Sequence, residues 1–379
     1  MTRFKVTLHT AKAGGLFLYP FAVLPPETTL RDAGERYLLL HLRNRIPGGP
    51  GVVLGVGDDG AVVETSPLTV VTTDSLVEGV HFERDWAVPR LLGRKALSVN
   101  LSDVAAMAGF ARHAVVSLCL PAQTTLGFVD GFYDGLLERA AETGVNVVGG
   151  NLARIEGPVV ISLTLLGQVA RAVGRSGARP GDLAVVTGSL GAAAGGLRLL
   201  AQGARLDEEG ELRSTGVWTE SSAPALRHCL RAQLDPQPPL SFARALAEVE
   251  LVHAAIDLSD GLSSDLLRIC EASGVEATID PFAVPVDPHA ASLERARGGD
   301  ALGAALNGGE DYQLLLAIAK DRLGELRDLA VIWDLPLAVV GEFAEGEPQV
   351  YLRAGSDRSP VTPSGHDHFA AGAPATARS

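Results

Sequence analysis

Apolar runs that end in short loops bearing aspartate recur along this chain and limit what it can fold into. "GVGDDG" (55–60), "VVTTDS" (70–75), "VNLSDV" (99–104) and "IDLSDG" (256–261) each follow strand-like or helical apolar residues. A lone aspartate after a strand is a turn former or a helix cap. Several in loops with Gly, Ser and Thr are different: if the loops converge, their carboxylates repel unless cations lie between them. Hard oxygen ligands of this kind suit Mg2+, which in turn suits a nucleoside triphosphate by bridging phosphate oxygens. One stretch breaks the habit: "VNVVGGNLAR" (145–154) carries the amide Asn151 where the others carry a carboxylate.

Around these loops the pattern alternates between helix and strand. Residues 29–46 read as an amphipathic helix, and "GVVLGV", "AVVE" and "LTVVTTD" read as strands. Residues 88–109 have apolar residues at helical spacing. "HAVVSLCLP" reads as a strand, followed by a helix closed by Gly144 and by strands at "VNVVGG" and "VVISLTLLGQV". "RAVGRSGARPGD" near 170–182 is rich in Gly, Arg and Pro and marks a boundary. Beyond it come "LAVVTG" (strand), "GAAAGGLRLLAQ" and "SFARALAEVE" (helices), "HAAIDLSDGLSSDLLRICEASG" (strand, loop, helix), "VEATID" (strand), "ALGAALNGGEDYQLLLAI" (helix, glycine turn, strand) and "LAVVGEF" (strand). The polar residues 203–224 read as a surface insertion. The expected fold is α+β in two domains. The expected division is an extension over 1–28, a first domain over 29–170, a second over 171–369 and a disordered tail over 370–379.

Composition excludes some classes. Net charge is −13 and no Lys/Arg-rich run occurs, so a nucleic-acid partner is not expected. The three scattered cysteines, none in CxxC spacing, read as buried free thiols in a reducing compartment. The N-terminal "GGLFLYPFAVLPP" faintly resembles a signal peptide but is short, broken by Pro20 and without a small-x-small cleavage site. No apolar run reaches the ~18 residues that span a membrane. These features make a cytoplasmic protein the expectation. No Walker A, kinase-type GxGxxG with HRD, or GxSxG sequence occurs. Phosphate binding would fall to acidic, metal-bearing loops and backbone amides.

Seven motifs then appear in order: "GDDGAVV" (57–63), "TTDSLVEGVHF" (72–82), "KALSVNLSDVAAMAG" (95–109), "GRSGARPGDLAVVTGSLG" (174–191), "IDLSDGLSSDL" (256–266), "NGGEDYQLL" (307–315) and "GHDHF" (365–369). Together they resemble thiamine-monophosphate kinases, of the superfamily that includes aminoimidazole ribonucleotide synthetase. The resemblance implies an N-terminal α/β dimerisation domain, a C-terminal α/β sandwich domain and a homodimer. It also implies Mg2+-dependent transfer from ATP to thiamine monophosphate directly between phosphates, giving thiamine diphosphate, by alignment and charge neutralisation. On its motifs, Asp59, Thr72, Thr73, Asp74, Asp103, Asp257 and Asp260 match metal-binding positions. Gly150, Arg175 and Ser259 match ATP-contacting positions, and His81 and Glu310 match positions that contact the thiamine phosphate. Two departures stand out. Asn151 occupies the place of a metal-binding, ATP-adjacent aspartate, and Pro363 that of an aromatic near the thiamine. These departures keep two alternatives open: a relative acting on another small phosphate-bearing or amide substrate, and a nucleotide-binding regulatory protein without transfer.

Overall fold

The computed structural model describes residues 23–56, 61–65 and 68–362. Asp59 and Pro363, the "GDDG" and "GHDHF" motifs and the two expected terminal segments (residues 23–28 apart) lie outside these residues.

The expected N-terminal helix is two helices, α1 (Leu30–Ala33) and α2 (Glu35–Arg45), because Gly34 between them takes φ 78. A short hairpin, β1 (Val52–Leu54) and β2 (Val62–Val63), follows. The first sheet uses β3 (Thr69–Val77), β4 (Phe110–Leu120), β5 (Asn146–Arg154) and β6 (Val160–Gln168) in the order β3-β6-β4-β5, antiparallel except for β4–β5. One face is covered by α3 (Pro89–Ala106) and α4 (Leu126–Thr143), around Leu97, Leu101, Phe132, Leu136, Ile161 and Leu163. The two helices touch through glycine: a Cβ on Gly93 would stand 1.9 Å from the Phe132 carbonyl, and one on Gly135 1.7 Å from that of Arg90. The other face is open, with Val71 61% exposed.

"VNVVGGNLAR" is not an apolar strand ending in a loop. It continues as strand through Arg154, and Gly150 and Asn151 lie in its middle. Glycine at 150 is required by the sheet itself, since a Cβ there would stand 2.2 Å from the Val116 carbonyl of β4.

The second sheet has seven strands: β7 (Leu183–Thr187), β10 (Val252–Asp257), β11 (Glu276–Ile279), β12 (Leu314–Ile318), β13 (Leu337–Ala344), β14 (Val350–Ala354) and β15 (Asp357–Pro360). Their order is β10-β12-β7-β13-β11-β14-β15. β7 and β12 are buried at every residue, as their unbroken apolar runs require of strands covered on both faces. Helices α8 (Leu262–Ser273) and α10 (Ala301–Asn307) cover one face. Helices α7 (Leu240–Leu246) and α11 (Leu323–Ile332) cover the other, where Ala105 and Ala106 at the end of α3 also pack. A satellite layer holds α5 (Ala192–Ala201), α6 (Ala223–Leu234), α9 (Pro288–Ala296) and the hairpin β8 (Ala204–Leu206) with β9 (Leu212–Thr215). The segment expected to be a surface insertion therefore carries core residues: Ala204 and Leu206 are buried against α5 and α6. The fold is α+β, with two sheet-based domains meeting along α3. Among the described residues no helix is long and apolar enough to cross a membrane.

Candidate active site

Helix α3 forms the floor of a cleft of about 500 Å³ between the domains. It presents Lys95, Val99 and Asp103 at helical spacing toward one side. Lys95 is 3% exposed, and its ammonium stands 2.9 Å from Oε1 of Glu310 in the C-terminal domain. Two turns on, the Ser102 hydroxyl donates to Oδ2 of Asp257 at 2.8 Å. These two ties from one helix fix the C-terminal wall of the cleft.

Asp74 reaches the cleft from β3, because alternate residues of the strand (Thr72, Asp74, Leu76) face α3. The Thr72 hydroxyl donates to Oδ2 of Asp103 at 2.6 Å. Across from them the 258–261 loop follows β10, which ends in the buried Asp257. Its Asp260 amide donates to Asp265 on α8 at 3.1 Å, and Asp260 itself pairs with Arg268. The loop at 308–312 packs on it: the Glu310 amide donates to the Ser259 carbonyl at 2.8 Å and the Tyr312 amide to that of Leu258 at 2.9 Å. Gly309, Glu310 and Tyr312 all have left-handed backbone (φ 68, 56 and 49), a costly arrangement for the two non-glycine residues that clusters at functional sites. It aims Glu310 into the cleft while both oxygens of Asp311 accept from the Gly191 amide at the start of α5, at 3.0 and 2.9 Å.

The electrostatics follow from crowding. Burial, then the charges of Asp103 and Asp260, push the Asp74 carboxyl up to about 6. Burial, then Asp103, pushes Asp257 up to about 7, against the Ser102 hydrogen bond. Burial raises Asp103 as well, with Thr72 and Arg175 pulling the other way. Glu310 behaves oppositely. Burial would raise it, but Lys95, the Gln233 amide that also donates to it, and His81 together hold it below its ordinary range. His81 accepts from the Val77 amide at Nδ1, 3.0 Å away, which puts the proton of its neutral ring on Nε2.

The cleft gathers Asp74, Asp103, Asp257, Asp260, Arg175, Ser259, His81 and Glu310 from the expected set, with Thr72 behind Asp103. It does not gather three others. Thr73 faces the open side of the sheet, donating to the Leu163 carbonyl. Asn151 and Gly150 lie on the far edge strand: the register Ser75–Ser162–Ser117–Asn151 puts three strand spacings, ~14 Å, between Asn151 and the β3 edge of its own chain. Sequence reasoning also missed Lys95, Gln233, Ser102, Arg268 and Asp265. Of these, Lys95 had a signal in its spacing: it stands eight residues before Asp103, on the same face of one helix.

Among the described residues no three acidic, histidine or cysteine side chains enclose an ion by themselves. The donors present nevertheless fit Mg2+. They are hard carboxylate oxygens, crowded enough to raise one another's affinity for protons, and Mg2+ is commonly held by one or two carboxylates completed by phosphate oxygens and water.

Comparison with known proteins gives the class first. Models of the AIR synthase related proteins match residues 57–169 (N-terminal domain) and 179–353 (C-terminal domain), so the chain is a two-domain protein of that class. Within it, the chain belongs to the thiamine-monophosphate kinase family. It is 35% identical over 321 residues to the thiamine-monophosphate kinase of Mycobacterium tuberculosis (84% of this chain, 90% of the relative). It is 36% identical over 327 residues to that of Salmonella typhimurium (84% and 93%). The crystal structure of the Stenotrophomonas maltophilia K279a thiamine-monophosphate kinase superposes with TM-score 0.69 at 34% identity (80% and 91%). AaThiL complexed with AMPPCP and TMP superposes with 0.69 at 29% (90% and 99%). Hydrogenase maturation protein HypE in complex with ATP, 18% identical over 89% of this chain and 98% of that one with TM-score 0.66, shares the fold.

Proposed function

We propose that the protein transfers the terminal phosphoryl group of ATP to thiamine monophosphate, giving thiamine diphosphate. The observation that carries this reading is the convergence of four aspartates, Arg175, His81 and Glu310 on one interdomain cleft, in a chain of this family. The AaThiL structure that binds AMPPCP and TMP together supports the pairing of substrates.

Asp74, Asp103, Asp257 and Asp260 would hold Mg2+, which when bound neutralises phosphate charge and orients the transferring group. The accepting oxygen belongs to a phosphate and is already anionic near neutral pH, so it needs little help from a base. The chain's own part is alignment. Arg175 offers a planar fork to phosphate oxygens. His81 offers an Nε2 proton to the acceptor phosphate. Glu310, kept ionised by Lys95, sets a negative charge where the cationic thiazolium ring of thiamine would lie.

We take the functional unit to be a homodimer through the open face of the first sheet, and the division between domains to fall at 170–182. A two-fold axis running between two such sheets along their strands would set β5 of one copy over β3 of the other. That arrangement gives Gly150, Asn151 and Thr73 a place beside a cleft, which one copy alone does not.

The test is incubation of the purified protein with ATP, Mg2+ and thiamine monophosphate, with thiamine diphosphate separated and quantified. Product at ordinary enzyme turnover is expected. Nucleotide binding without product would sink the reading.

A further inference from the structure

Of the four cleft aspartates, Asp260 is the one that makes an ion pair among the described residues. Its partner Arg268 projects from α8 and spans two carboxylates. One guanidinium nitrogen is 2.5 Å from Oδ1 of Asp265, whose side chain is fully buried, and another meets Oδ2 of Asp260. The Asp260 amide donates to the second oxygen of Asp265 at 3.1 Å, which closes a ring of three residues. Arg268 is nevertheless part of the cleft lining, on the side facing Asp74 and Asp103. A guanidinium has five donors, and this pairing leaves some of them turned to the cleft.

We infer that Arg268 is a built-in counter-cation of the C-terminal wall: it holds Asp260 away from divalent metal until an anionic ligand draws the guanidinium off. Metal in the empty cleft is then met first by Asp74, Asp103 and Asp257. Asp260 becomes available only as phosphate oxygens arrive to take over the arginine. The device orders binding, since an early metal at Asp260 has to displace a charge already in place. It rests on the reading that these aspartates take divalent cations.

The test is Mg2+ alone, titrated by thermal shift and by Mn2+ competition in electron paramagnetic resonance, without nucleotide. Arg268→Gln should lower the half-saturating Mg2+ concentration by about 3- to 10-fold, since one nearby positive charge is lost and one carboxylate is released. Asp260→Asn should change it less than about twofold in the wild-type background, but should cancel the gain when combined with Arg268→Gln. Because Arg268→Gln strands the buried Asp265, the pair Asp265→Asn with Arg268→Gln is measured too and should show the same gain. Unchanged or weakened Mg2+ affinity in both arginine variants would overturn the inference. So would an equal effect of Asp260→Asn in both backgrounds, or a wild-type protein with no Mg2+ response. A wild type that binds Mg2+ but forms no thiamine diphosphate would fail the proposed function and leave this inference standing.

Discussion

The Lys95 ammonium lies 2.9 Å from a Glu310 carboxylate oxygen, so a helix of the first domain holds a cleft-lining loop of the second. Lys95 is nearly inaccessible, while the Glu310 side chain keeps 26% of its exposure. Truncating one partner of a buried pair costs about 3–5 kcal/mol, and the exposure of Glu310 reduces this to about 1–3. Lys95→Met should lower stability to urea by that amount. Adding Glu310→Gln should restore part of it, while activity stays at least about 100-fold down in both. Full activity in Lys95→Met would refute the proposed role of Glu310.

The raised carboxyls give the metal-free protein a pH dependence of defined sign. Asp74 at about 6 and Asp257 at about 7 keep protons in the native state that the unfolded chain releases near pH ~4. Stability in EDTA should therefore fall as pH rises from 5 to 7.5. Asp287, which burial would raise but which His228 and the Ala290 amide hold down at about 2, acts in the opposite sense but only at lower pH. Mg2+ should raise the melting temperature more at pH 7.5 than at 5. A metal-free melting temperature that climbs between pH 5 and 7.5 would contradict the crowding.

Asp257→Asn should separate function from stability. It removes a charge that burial and Asp103 oppose, yet an amide oxygen can still accept from Ser102. The metal-free melting temperature at pH 7.5 should rise, while phosphoryl transfer falls by about 100-fold or more. Loss of both would mean that the carboxylate is structural.

The open sheet face can be tested independently of the cleft. Val71→Asp places a charge on the β3 edge of the proposed dimer surface, where β5 of the other copy would lie, without touching Asp74. Light scattering should show a monomer with an intact fold and little activity. If Val71→Asp remains dimeric, the interface lies elsewhere. In the dimer Asn151→Asp should lower the Mg2+ requirement of turnover, and in the monomer it should not.

Gly309→Ala addresses the turn beneath Glu310. A Cβ there meets the Ser259 carbonyl at 2.5 Å and imposes strain at φ 68. Gly274 has φ 67 and open space around it, so Gly274→Ala measures the backbone strain alone, about 1 kcal/mol. The excess in Gly309→Ala reports the clash, and Michaelis constants for the thiamine substrate should rise only in that variant.

The aspartate-bearing loops were legible because each motif carries its residues within a few positions of a strand or helix end, and local pattern finds such ends. Lys95 was half legible, as a cation two turns from Asp103 on one helix face, but its partner lies 215 positions away in sequence, and nothing local names it. Gln233 belongs to a helix the pattern did not yield, and the Arg268 ring depends on how α8 turns after Gly261. Asn151 shows the limit most plainly. Its residue type hinted at a role, but whether it stands beside Asp74 depends on strand order, which non-local pairing decides. "VNVVGG" also reads as the end of a strand because glycine is unusual inside one, whereas Val116 of the neighbouring strand demands it.

Helix α3 of the first domain ties the C-terminal wall of the cleft at two points, through Lys95 and Ser102, two turns apart on one rigid element of 18 residues. A gap fixed in this way has little freedom to widen and narrow by swinging one domain against the other. Ligand capture should therefore show one kinetic phase whose observed rate rises linearly with nucleotide concentration, without the plateau that a slow closing step imposes.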